Sequence, residues 1–473
     1  MIADLKPYAE YKDSGLPWLG QVPRHWATKR GKAYLATIDE RSETGREELL
    51  TVSSARGVVP RSSANVTMFK AESYAGHKLC WPGDLVINSL WAWGGGLGVS
   101  QHHGIISTAY SVYRCRPSAK INPQFLHALV RSSAFQWELQ VRSKGVWISR
   151  LQLTDTAFLD APIPLPPPDE QAAIVRFLDW ANGRLERAIR AKRKVIGLLN
   201  EQKQAIIHRA VTRGLNPSVS LKPSGIPWLG DIPKHWEVRK VGTVADLIVS
   251  NVDKLSEASE SAVRLCNYVD VYKNDKITKT LNFMHATATQ DEIARFKIQI
   301  GDVIITKDSE EWDDIGVPSL VTYQAADLVC GYHLAILRPQ SDLILGEFLH
   351  RVLEDRLVST QMHVRAKGVT RYGLSQTAIR AVLLPLPPVM EQEQIALQLN
   401  SEIERFGAAR SRLEDEIDLL REYRTRLVAD VVTGKIDVRE AAAWLPEEVP
   451  LDTVEDDADL GDDLDIAYEE ATA

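Results

Sequence analysis

Three short stretches hold residue types from which chemistry is often built. "WGGGLG" at 93–98 is glycine-rich enough for backbone amides to close round a phosphate. "CGYH" at 330–333 offers a thiol and an imidazole, and "DSEEWDD" at 308–314 concentrates carboxylates. None of the three is complete. A phosphate loop needs a Lys-Ser/Thr pair opening a helix after its glycines, and Gly98 is followed by Val99-Ser100 instead. A structural zinc site needs four ligands; Cys330 and His333 supply two, so a small buried thiol and a strand histidine are the plainer reading. The carboxylate run lacks the separated Asp/Glu-x-Lys arrangement of a nuclease. No dinucleotide fingerprint or metalloprotease helix is present, and neither "NPPY" nor "DPPY", the tetrapeptides of base-amino methyltransferases, occurs. The expectation is a chain with no catalytic residue, no metal site and no cofactor of its own.

The elements that carry these stretches are written twice. "SGLPWLGQVPRHW" (14–26) returns as "SGIPWLGDIPKHW" (224–236), nine of thirteen positions identical. "GDLVIN" (83–88) is answered by "GDVIIT" (301–306), and "RSKGV" (142–146) by "RAKGV" (365–369). "PIPLPPPDEQAAI" (162–174) matches "LLPLPPVMEQEQI" (383–395), and "AVTRG" (210–214) matches "DVVTGK" (430–435). Internal duplication decides the architecture before any local reading. The offset drifts between landmarks and then settles, so each half is a variable globular segment followed by a segment of constant length.

The constant segments predict long helices. No proline interrupts the forty or so residues after each proline run. Ile174, Leu178, Leu185, Ala188, Val195, Leu199 and Ile206 follow three-and-four spacing, as do Ile395, Leu399, Phe406, Leu413, Ile417, Leu420 and Leu427. Asp169, Glu170 and Glu391 suit the positive end of the helix dipole, and Gly214 and Gly434 are natural stops. Asn182-Gly183 is the expected weak point of the first helix. Each stripe would be exposed alone, so the two helices are expected to pack together, antiparallel, as a coiled coil. Arg184, Arg187, Arg190, Lys192, Arg193 and Lys194 crowd the polar side of the first, as a solvated face or a docking surface.

The globular segments alternate short β-rich runs with helical stretches and read as α+β domains. The predicted organisation is 1–168, a first globular domain; 169–216, a long helix; 217–389, a second globular domain; 390–436, a second long helix; and 437–473, an acidic disordered tail. The fold class is therefore α+β: two globular domains joined by two long antiparallel coiled-coil helices, internally duplicated with pseudo-twofold symmetry. With 44% hydrophobic and 25% charged residues the composition is that of a soluble protein. No apolar run approaches a membrane span. A polar N-terminus and four scattered cysteines fit the cytoplasm. Twelve acidic and no basic residues follow Pro446, so the net charge of −7 conceals a body of +5.

In combination, the paired "PWLG…IP+HW" phrase, the "PLPP…EQ..I" entry to a long helix and the variable–constant–variable–constant order resemble the specificity subunit of Type I restriction–modification enzymes. The resemblance covers the chain to about residue 440. It implies two target-recognition domains, each reading half of a bipartite double-stranded DNA site. It implies that the helices set the gap and dock two adenine-methyltransferase subunits. Motor-nuclease subunits would complete the assembly, with S-adenosylmethionine, ATP and Mg bound by the partners. A free-standing DNA-binding regulator and an assembly scaffold are the alternatives.

On that reading, DNA contacts should come from polar, basic and aromatic loop residues that differ between the halves. The first domain offers Asn88, Ser89, Trp91, Trp93, Ser100, Gln101 and His102, then Arg142, Lys144, Trp147 and Arg150. The second offers Lys307, Asp308, Ser309, Glu311, Trp312 and Asp313, then Arg365, Lys367, Thr370, Arg371 and Tyr372. Lys144 and Lys367 coincide in the repeat and are assigned to phosphate. Gln101, Asp308 and Arg371 are the expected base readers.

Overall fold

A computed structural model describes residues 5–64, 73–145 and 151–446. The long helices are the dominant elements, Pro168–Arg213 with 46 residues and Val389–Val432 with 44. The first passes Asn182-Gly183 without interruption. The chain divides into two compact units, and each long helix is shared between them: one unit takes the chain to Lys192 and again from Asp415, the other Arg193–Glu414. Trp147, Arg150 and the acidic residues from Glu447 onward lie outside the described residues.

In the first unit a four-stranded antiparallel sheet runs in the order Leu35–Ile38, Tyr110–Cys115, Leu85–Asn88, Leu97–Val99. In the second the order is Ala245–Val249, Leu334–Pro339, Val303–Thr306, Pro318–Val321, Lys276–Ile277, the last pair parallel. A further three-stranded sheet joins Met284–Ala288, Ser261–Cys266 and Leu328–Cys330.

The repeated "GD" opens the central strand of each sheet for the same reason. Gly83 and Gly301 sit at φ +93° and +90°, a conformation glycine adopts without strain. Asp84 and Asp302, both buried, accept paired hydrogen bonds from an arginine on the neighbouring strand: Arg114 (2.8 and 2.9 Å) and Arg338 (2.9 and 2.8 Å). A buried carboxylate is tolerated when an opposite charge satisfies it.

The repeated "HW" is a clamp. In the first unit Glu170, in the opening turn of the first long helix, accepts from Tyr8 Oη (2.5 Å) and Trp26 Nε1 (2.8 Å) and bonds His25 Nε2 (2.7 Å). In the second, Glu391 bonds His235 Nε2 (2.7 Å) and accepts from Trp236 Nε1 (3.0 Å). The adjacent glutamines work alike. Gln171 accepts from Asn122 N and donates to Pro166 O, while Gln392 accepts from Leu345 N and donates to Pro387 O. The tryptophans also receive the end of the other long helix. A Cβ on Gly214 would stand 3.2 Å from Trp236, and one on Gly434 3.1 Å from Trp26. The start of one helix thus lies beside the end of its counterpart within each unit, which is the antiparallel arrangement. Between clamp and helix, Ala27–Arg30 pairs with Pro162–Leu165, and Glu237–Lys240 with Leu383–Leu386.

The helix seams are buried near these clamps. Ile174, Leu178 and Leu427 join the core of the first unit, Ile395 and Leu399 that of the second, and Leu185 and Ile417 are buried as well. Leu199, Ile206, Phe406, Leu413 and Leu420 are half-buried. Val195 is not in the seam: it is 43% exposed. Heptad spacing drifts round a straight α-helix by about 20° per repeat, and Val195 is three repeats from Ile174. The buried positions Ile174, Leu185 and Ile207 instead recur in multiples of eleven, as do Ile395 and Ile417.

Ordered packing continues past residue 437. Arg439–Ala443 is a short helix, and Val438, Ala442 and Leu445 are buried in the first unit's core. The predicted tail boundary at 437 therefore falls inside packed chain, because the apolar side chains between Asp437 and Pro446 still find a place in the core.

Candidate nucleic-acid interface

In both units the loop leaving the central strand is tied to the loop that carries the repeated "R-x-K-G". In the first, Leu153 N donates to Ser89 O (2.8 Å), and Lys144 pairs with Gln152 by two backbone bonds of 3.0 and 2.9 Å. In the second, Leu374 N donates to Lys307 O (3.0 Å), and Lys367 pairs with Gly373 by bonds of 3.1 and 2.9 Å. Asp308–Ser309 adds a two-residue ladder to Tyr372–Gly373. Candidate residues up to 65 positions apart, Lys307 and Tyr372, thus share one rim per unit, on the same scaffold and with different side chains around the repeated Arg and Lys.

The first unit's loop is stiffened from beneath. Trp91 lies over the loop so closely that a Cβ on Gly94 would meet its ring at 2.8 Å, and its ring centroid is 4.7 Å from that of Trp93. Trp93 Nε1 donates to Leu90 O (3.2 Å). Gly94 and Gly96 of "WGGGLG" therefore make room for Trp91. Asn88 and Ser100 are buried, and each side chain serves the backbone of its own turn: Asn88 Oδ1 accepts from Leu90 N (3.1 Å), and Ser100 Oγ, on the turn after Leu97–Val99, bridges to His102 N and O. They position; Lys144 is the exposed candidate at this rim. Gln101 is exposed too, but Ser100, Gln101 and His102 do not lie on the loop after the central strand as expected: they follow the return strand Leu97–Val99 and sit at the other end, where Ser100 N donates to Asp84 O and Gly83 N to Ser100 O (both 2.8 Å). Arg142 is held by Glu138 (2.6 Å).

Two residues with no motif around them hold this loop. Arg131 donates to five carbonyls, of Ser53, Ser54, Ala55, Gly95 and Leu97. His127 Nδ1 accepts from Val99 N (3.2 Å). Burial, and then the Arg131 charge, push the His127 ring down to about 4. It binds its proton less readily folded than unfolded, so stability is full above the ordinary histidine value and is lost as pH falls from about 6.5 toward the folded value. Melts taken from pH 7 to 4 should show a falling midpoint below 6.5 in the native protein and a shallower fall in His127→Gln. Parallel curves would exclude the assignment.

The second unit's rim has an acidic and a basic edge. Glu311, Trp312 and Asp313 are exposed on one loop, and Arg365, Lys367, Thr370 and Arg371 on the other. Trp312 meets His363 edge-on at 5.8 Å. Between the edges, Asp308 pairs with Lys307 and with His333 Nδ1 (3.2 Å), and Arg371 Nη2 donates to His333 Nε2 (2.9 Å). Burial pushes Asp308 up, but the bonds from Lys307 and His333 outweigh it and leave its carboxyl below the usual range. His333 is pushed down by burial, and further by Arg371, against the pull of Asp308. Its neutral ring can then donate to Asp308 and accept from Arg371 at once.

Sequence reasoning missed the tyrosines below this rim. Tyr268 and Tyr272 stack at 5.6 Å; Tyr268 Oη bonds the buried Ser309 Oγ (3.1 Å), and Tyr272 Oη donates to Asp314 (2.9 Å). Their four-residue spacing on a short helix, Tyr268–Tyr272, was the available signal. Cys330 is buried and paired in register with Cys266 on the adjacent strand, its thiol pushed up by burial. Among the described residues, Asp275, His350 and Glu354 are the group with metal-compatible spacing. Arg351 already bonds Asp275 (2.8 and 2.9 Å) and Glu354 (2.5 Å), and Lys203 pairs with Glu354 (2.5 Å). Two cations balance the two carboxylates there and oppose a third positive charge.

Residues 233–414 match the family described as the Type I restriction modification DNA specificity domain. A protein named as the MjaX specificity subunit of Methanocaldococcus jannaschii is 24% identical over 39% of this chain and 44% of its own length. The MjaVIII specificity subunit of the same organism is 22% identical over 64% of this chain and 68% of its own length. The chain thus spans under half the length of the first relative. A solved structure described as explaining complex assembly and conformational transition of the type I R-M system has the same fold, with a TM-score of 0.62 and 18% identity over 87% of this chain and 98% of that one. The resemblance drawn from the paired motifs is borne out: in sequence and fold the chain is similar to Type I specificity subunits. No helix among the described residues is long and apolar enough to cross a membrane.

Proposed function

We propose that this relative of the Type I specificity subunits is itself the non-catalytic DNA sequence-specificity subunit of such a complex. Each unit reads one half of a split double-stranded target. The long helices set the gap and carry two adenine-methyltransferase subunits, to which motor-nuclease subunits attach. S-adenosylmethionine, ATP and Mg are used by those partners. The observation that carries the reading is the duplicated rim: two loops tied together on one scaffold, with the R-x-K-G residues kept and the side chains around them changed. A protein that reads two different half-sites needs a constant support with variable tips.

Chemistry assigns the tips. Lys144 and Lys367, exposed at equivalent positions, meet phosphates. Asp308 accepts from an amino group such as that of cytosine and Arg371 matches guanine, while Gln101, on the separate turn after Leu97–Val99, has the paired donor and acceptor that match adenine. The carboxylates of 308–314 would repel phosphate, so the acidic edge faces bases while the basic edge tracks the backbone. Expression with the candidate adenine methyltransferase in a methylation-free host, followed by genome-wide mapping of modified adenines, is the test. A split motif with a fixed gap is expected. A stable complex that modifies nothing would point to a scaffold, and tight site binding without the methyltransferase to a regulator.

A further inference from the structure

We propose that the acidic C-terminal segment, residues 447–473, docks along an arginine stripe on the first long helix and shields that stripe from other polyanions. Arg176, Arg184, Arg187 and Arg190 are all exposed. At about 100° per residue they fall within one sector of roughly 120° on the helix surface. Trp180 lies in the same sector, with the Arg184 guanidinium 5.2 Å from its ring centroid. Among the described residues no carboxylate is in ion-pair contact with Arg184, Arg187 or Arg190. Neighbouring cations are matched, Lys192 by Glu416 and Arg424 by Glu186. Four positive charges on one face of a helix repel one another, and that favours an anionic occupant.

The chain itself delivers one to the stripe. Arg176, the first of the four, donates through Nη2 to the carbonyls of Leu445 (2.6 Å) and Pro446 (3.4 Å), the last described residues. Leu445 is buried, so this exit point is anchored in the core. The 27 residues beyond it hold twelve carboxylates and no Lys or Arg. Arg190 lies about 21 Å from Arg176 along the helix axis, at 1.5 Å per residue. A segment of this length reaches about 90 Å when extended, so it can cover the whole stripe. Tethering makes the contact intramolecular, with an effective concentration near the millimolar range. A free duplex or an acidic protein face has no such advantage and must displace the segment first.

The test is a cycle of four chains: intact, ending at Pro446, and each of these with Arg184→Gln, Arg187→Gln and Arg190→Gln together. The probe is a labelled random-sequence DNA duplex at low salt. Ending the chain at Pro446 should raise its affinity for the duplex roughly tenfold, and the triple substitution should abolish that gain. An equal gain in both backgrounds would mean that the segment repels DNA from a distance without docking, and no gain in either would also overturn the proposal. A glutamate-specific protease supplies a second readout on the intact chain. Cleavage within 447–473 should accelerate several-fold as salt rises, and the triple variant should be cut fast at all salt concentrations. Salt-independent cleavage of the intact chain would overturn the proposal even if the triple variant failed to fold.

Discussion

Glu170→Ala is expected to lower the unfolding midpoint of the protein more than the equivalent change in the other half. The Glu170 side chain is 2% exposed and satisfies Tyr8, His25 and Trp26 together. Its removal strands two buried donors at the joint where one long helix begins and the other ends. Each orphaned buried group costs about 1–3 kcal/mol, so a total of roughly 3–5 kcal/mol is expected. For a unit of this size that corresponds to a fall of roughly 6–20 °C. Glu391 is 26% exposed and among the described residues has no tyrosine partner, so water can replace part of what Glu391→Ala removes. Calorimetry of the two variants should show the larger shift for Glu170→Ala. Equal shifts below about 1 kcal/mol would show that the clamp is not what secures the helix ends.

Arg371→Ala and Lys367→Ala should separate reading from holding, although the two residues share one hairpin. Arg371 is exposed and oriented by its bond to His333, which is in turn fixed by Asp308. If it reads a base, its loss should relax preference at one position of one half-site, by about 1–3 kcal/mol or roughly 5–150-fold. The other half-site should be unaffected. Lys367 has its backbone committed to Gly373 and its side chain exposed. Lys367→Ala should weaken binding to all sequences alike and reduce the salt dependence by about one phosphate contact. Binding measured across a panel of single-base variants at two salt concentrations distinguishes the outcomes. A uniform loss for Arg371→Ala would reassign it to phosphate.

The comparison with known proteins and the repeat lead to the same fold by different routes. The duplicated phrases, the proline-free helices and the missing catalytic motifs were all legible in the residues. Repetition is a statement about order along the chain, and helix periodicity is local; neither needs the third dimension. The clamp was half legible. "HW" and "EQ" recur in register, yet nothing in their spacing says that Trp26 donates to Glu170 across 144 positions. The seam was legible near the helix ends and failed at Val195, because a heptad count ignores the rotation that a straight helix accumulates.

Residue order alone carries the plan: two versions of one module, each a variable domain followed by a constant helix, with a strongly acidic end. Which candidates stand exposed and which are turned inward came from the packing. Asn88, Ser100 and Ser309 are as polar as Gln101, but burial turns their side chains to neighbours inside the unit, where an unpartnered polar group would cost more than an exposed contact returns. Arg131, His127, Tyr268 and Tyr272 carry no motif and gained their roles through neighbours distant in the chain. The physical reason is that exposure and hydrogen-bond partnership belong to pairs of residues brought together by folding, whereas composition and period belong to the chain alone.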